Sequence, residues 1–160
     1  MTSGRTFAPR CAANRTHGFT LVEVLIALII MSVGMLGIAS LYVHGMQAGR
    51  TSLFRHNAVT LAGDIADRIR ANPTAGVAYE GTVPATPVNC YTTNCNVATM
   101  ASNDLYVWDT QAKASLPTGS ITIAHDDSVT PSTYTITVSW TEPGVSPAPT
   151  YSVVIPVLNR

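Results

Sequence analysis

Residues able to ligate a metal, relay a proton or attack a carbonyl are few in this 160-residue chain, which holds 4 His, 3 Cys and 9 Asp plus Glu. Acyl-transfer chemistry of the Gly-x-Ser-x-Gly kind needs its nucleophile on a sharp turn. Phosphate or dinucleotide binding needs a glycine-rich loop that opens a helix. Neither pattern occurs, nor does a His-Glu-x-x-His zinc pair. The one tight cluster of possible ligands is His125-Asp126-Asp127, in a Ser/Thr-rich stretch where aspartate usually serves turns. His17, His44 and His56 are scattered, with no partner at a useful spacing. No catalytic residue, metal ligand or cofactor is assigned. Chemistry of another kind remains: one acid, Glu23, inside an apolar run, and two closely spaced cysteines, Cys90 and Cys95.

Charged residues make up 11% of the chain against 46% hydrophobic, where soluble proteins usually carry about 25% charged residues. That balance excludes a disordered charged tail. Lys plus Arg equals Asp plus Glu at 9 each. No cationic excess exists to neutralise phosphates, so no nucleic-acid partner is expected. The charge is also segregated. Residues 1–18 hold Arg5, Arg10 and Arg15 without an acid, whereas residues 72–160 carry a net −4.

From Phe19 to Val43 the chain reads FTLVEVLIALIIMSVGMLGIASLYV, and no charge follows Glu23 until Arg50. About 20 apolar residues cross a bilayer as a helix, so this run is long enough to span one. Three arginines before it keep the amino terminus in the cytoplasm. A carboxylate near the middle of a lipid-facing helix costs on the order of 2.5–3.5 kcal/mol, less near an end, and marks a function by default. An ordinary secretory signal is the rival reading. The triplet Gly37-Ile38-Ala39 would then be the cut site and a soluble periplasmic binding protein or enzyme would begin at Ser40. The long leader and the acid within the apolar region speak against it.

The segment Gly18-Phe19-Thr20-Leu21-Val22-Glu23-Val24 resembles the prepilin signature of type IV pilins and type II secretion pseudopilins. The features in common are a glycine, an aromatic residue, an acid at the fifth mature position and an unbroken apolar helix. The resemblance implies that a prepilin peptidase cuts after Gly18 and methylates the new amine of Phe19, leaving 142 of the 160 residues. It implies that Glu23 pairs with the terminal amine of a neighbouring subunit and so sets axial register within a packed apolar core. The implied partners are other major and minor pilins, met through the amino-terminal helix, and the assembly platform of the bacterial inner membrane. The head would face the periplasm and later the filament surface. Major pilins commonly have proline at mature position 22, where this chain has Ser40, which points to a minor subunit. The stretch Leu61–Pro73 (LAGDIADRIRANP) is similar to PilV-type minor pilins, the pilus modification proteins. A minor pseudopilin of type II secretion is the alternative.

These features require elements to position them. One helix is expected over residues 19–71, with residues 19–43 transmembrane and with Leu53, Ala58, Leu61, Ala62, Ile65 and Ile69 forming an apolar stripe in its second half. Asp64–Arg68 and Asp67–Arg70 are at ion-pair spacing, and Asn72-Pro73 ends the helix. Residues 72–89 read as an irregular connection. With Cys11 lost in the leader at 1–18, Cys90 and Cys95 form an even pair in an oxidising compartment, which favours a disulfide. Ser102 or Asn103 is expected to cap a helix through Leu105, Trp108, Ala112 and Leu116, stopped at Pro117-Thr118-Gly119. Alternation over Ile121–Ile123, Thr133–Trp140 and Tyr151–Val157 predicts strands. The whole is an α+β, pilin-like chain: a long amino-terminal helix packed against a small antiparallel sheet in a head over residues 72–160.

Overall fold

The computed structural model describes residues 18–90 and 92–158; the leader positions 1–17, with Cys11 and the three arginines, and the carboxyl-terminal Arg160 lie outside the described residues. The elements run α1 (Leu21–Ala71), a 3-10 turn (Gly76–Glu80), α2 (Val97–Ser115), β1 (Ser120–Asp126), β2 (Ser132–Ser139) and β3 (Thr150–Val157). Two units divide the chain, residues 1–44 and residues 45–160.

In the first unit, α1 is apolar on every side. Leu, Ala, Met and Ile dominate, there is no proline, and all residues from Leu21 to His44 are exposed. None of the described residues of that unit covers this surface.

The second unit has one core. Alternation of period 2 makes β1, β2 and β3 an antiparallel meander in the order β1-β2-β3. Ile123 pairs with Ile136 and Tyr134 with Ile155, which puts every inward side chain in register. Tyr134, Ile136 and Val138 of β2, the central strand, are fully buried, and Trp140 just beyond it is also buried. The outward positions are mostly Ser and Thr, as befits a solvated face of an antiparallel sheet. Against the inner face lie Leu61, Ile65 and Ile69 of α1, Leu105 and Trp108 of α2, and Tyr79 of the 3-10 turn. Ala58, Ala62 and Ala66 share the buried face of α1, small residues that allow close approach. Tyr79 stacks on Trp108 at 5.5 Å and meets Tyr134 edge-on at 6.2 Å.

Four local expectations need correction. Leu53 is exposed, so the stripe begins at half-buried Phe54 and Ala58. The connection after α1 is not wholly irregular, because residues 76–80 coil into a 3-10 turn that buries Tyr79. Helix α2 starts at Val97, not beyond Asn103; its cap is Asn96, whose side chain accepts from the Thr99 N–H at 2.8 Å. Arg68 does not turn to Asp64 but reaches across to Asp104 of α2. The turn after α2 does need its glycine. A Cβ on Gly119 would lie 2.2 Å from the Ala112 carbonyl oxygen, inside van der Waals contact.

Candidate functional site

The amino-terminal signature is built around Thr20. Gly18, Phe19 and Thr20 are not helical, and Phe19 is exposed. The Thr20 carbonyl accepts from the Val24 N–H at 3.3 Å, the first bond of the helical ladder, and from the Glu23 N–H at 3.1 Å. The Thr20 hydroxyl also accepts from the Glu23 N–H, at 3.3 Å. Thr20 is thus the N-cap of α1 and Glu23 its third helical residue, the Thr-x-x-Glu spacing of a capping box. Glu23 sits in the first turn, where the helix dipole favours negative charge. Its carboxylate has no partner among the described residues. Beyond it the stem, one helix long and apolar enough to cross a membrane, leaves its large side chains uncovered: Leu25, Ile29, Leu36 and Leu41 are all more than half exposed.

In the second unit, polar ties fasten α1 to the rest of the head. The Arg68 guanidinium donates to Asp104 Oδ1 at 2.8 Å, and the Tyr79 hydroxyl donates to Oδ2 at 3.2 Å. Asn72 donates to that same hydroxyl and to the Val97 carbonyl, each at 3.2 Å, joining the end of α1 to the start of α2. Burial pushes the Tyr79 phenol up to about 12. Farther along, buried Glu142 of the β2–β3 connection accepts from the Thr51 hydroxyl at 2.6 Å and from the Trp140 indole N–H at 2.8 Å. Those two donors, with Arg55 and Arg50 nearby, hold its carboxyl below the usual range. Cys90 and Cys95 are joined in a disulfide, immediately before the Asn96 cap of α2.

With that geometry in view, sequence comparison is decisive. The model of the prokaryotic N-terminal methylation motif matches residues 13–39. The model of the family described as type IV pilin Tt1218 matches residues 40–106. The two matches adjoin and together run over residues 13–106 of the chain's 160. It is a type IV pilin-family protein. Comparison with curated proteins and with solved structures gave no significant match.

A pilin is a structural protein and not an enzyme. The methylation motif implies processing by a prepilin peptidase, and the apolar helix of a type IV pilin implies a place in the membrane or the pilus. The residues singled out from sequence fall into separate regions. Gly18, Phe19 and Glu23 lie together at the start of the stem, whereas Cys90 and Cys95 lie in the head. His125-Asp126-Asp127 is used locally. Asp126 accepts from the Ser128 N–H and hydroxyl at 2.9 and 2.5 Å, which holds its carboxyl below the usual range, and the His125 ring lies against Tyr134. Missing from the sequence-level list were Thr20, Asp104 and Glu142. The Thr20-x-x-Glu23 spacing was a readable signal for the first. Nothing local marks the other two, whose partners are 36 and 91 residues away.

Proposed function

We propose that this pilin is a minor subunit of a type IV pilus, acting in pilus assembly. A prepilin peptidase cuts it between Gly18 and Phe19, and Phe19 is then N-methylated. Residues 19–43 hold it in the bacterial inner membrane with the head, residues 72–160, in the periplasm. It enters the filament when the stem leaves lipid and packs against the stems of other major and minor pilins on the inner-membrane assembly platform. Glu23, paired with a neighbour's terminal amine, sets the register. A place near the PilV-type pilus modification proteins fits the resemblance of residues 61–73 and the serine at position 40.

One observation carries this reading: the stem is apolar all round and wholly uncovered, so it needs lipid or other helices as its surroundings. Glu23 gives the test, because its charge can be removed with its size kept. Glutamine matches the side chain in length but has no charge. Glu23→Gln and Glu23→Ala are therefore both expected to insert in membranes yet fail to enter sheared pilus fractions. Pilus incorporation of Glu23→Gln at the wild-type level would remove the charge pairing.

A further inference from the structure

We infer that Thr20 is a positioning residue for processing: its N-cap keeps the Gly18–Phe19 peptide out of α1, where a peptidase can reach it. The inference rests on the reading of that peptide as the processed bond. Hydrolysis there requires water to add to the Gly18 carbonyl carbon; the C–N bond to Phe19 then breaks and the leaving nitrogen takes a proton. A carbonyl inside a helix is occupied by the N–H four residues on and flanked by side chains. The ladder here begins two residues past the scissile bond, with the Thr20 carbonyl accepting from Val24. The Gly18 carbonyl accordingly stays outside it.

Thr20 fixes that starting point through two acceptors. Its hydroxyl takes the Glu23 N–H at 3.3 Å, a donor that its carbonyl also takes at 3.1 Å. Without the hydroxyl, first-turn N–H groups gain by capturing carbonyls further upstream. Those carbonyls belong to Phe19, Gly18 and the leader, so the helix grows into the cleavage site. Gly18 opposes that growth because glycine is a poor helix former. Phe19 and Leu21 offer no competing cap. The cap and the glycine thus act from the two sides of the scissile bond.

The test uses the full-length chain in membranes, with purified prepilin peptidase and initial cleavage rates. Thr20→Val keeps the branched shape but loses the acceptor. It is expected to be cut more slowly, by up to about fivefold, the limit set by about 1 kcal/mol of cap at 1.4 kcal/mol per tenfold. Thr20→Ser and Thr20→Asp, which restore a side-chain acceptor, are expected to return to within twofold of wild type. A merely structural role, such as packing of the threonine methyl, would leave Ser and Asp as impaired as Val. Wild-type cleavage of Thr20→Val, or failure of both Ser and Asp to rescue, would overturn the inference. The mass of the wild-type product is read first. A cut elsewhere than Gly18–Phe19 would refute the processing reading itself, independently of any Thr20 comparison.

Discussion

The tie between Arg68 and Asp104 is strongly asymmetric, and that asymmetry is measurable. The Asp104 side chain is 3% exposed and that of Arg68 is 48% exposed, although they meet at 2.8 Å. Arg68→Ala leaves a buried carboxylate with only the Tyr79 hydroxyl to compensate it. Breaking a fully buried pair costs about 3–5 kcal/mol; the half-exposed arginine puts this case at the low end, about 3 kcal/mol. Asp104→Ala leaves a guanidinium that water can reach. Its main cost is the Tyr79 hydroxyl, buried and without an acceptor, about 1–2 kcal/mol. The double variant never strands a charge, so it is expected near the cost of Asp104→Ala alone, a coupling of about 3 kcal/mol in magnitude. The assay is urea unfolding of the detergent-solubilised chain followed by tryptophan fluorescence, since Trp108 and Trp140 are both buried. If Asp104→Ala were as costly as Arg68→Ala, or if the two single effects simply added, the reasoning would be refuted.

Two predictions concern pH. The Glu142 carboxyl is held below the ordinary range of about 4.3 by Thr51 and Trp140. Its contribution is present above that range and lost as pH falls through the lowered value. Glu142→Gln is therefore expected to be less stable at neutral pH but to lose less stability on acidification below about pH 4.3; equal acid limbs in the two melting curves would contradict this. Tyr79 is pushed up to about 12, so its contribution is whole below about pH 10 and disappears as pH rises through the folded value. Tyr79→Phe is expected to flatten the alkaline limb of the unfolding profile, and an unchanged limb would refute the assignment.

The parts of the fold that were legible in sequence are those set by local period. Tyr134, Ile136 and Val138 alternate with hydroxyl residues, and β2 forms over them. Leu61, Ile65 and Ile69 recur at helical spacing, and all three are buried. The start of α2 was hidden because Val97 and Thr99 are weak helix formers and a cysteine pair precedes them; the Asn96 cap compensates. Arg68 was misassigned because a local partner, Asp64, stood at ideal spacing while the actual one, Asp104, is brought near only by packing of α1 against the head. Glu23 was legible as an acid out of place. The Thr20-x-x-Glu23 spacing, which puts Thr20 at the N-cap, is equally visible in the residues.

The measurement that bears most directly on the whole account is the intact mass and amino-terminal sequence of the mature protein isolated from membranes or pili. A chain beginning at N-methylated Phe19, with its apolar stem retained, is the predicted result. A soluble product beginning at Ser40 would contradict it.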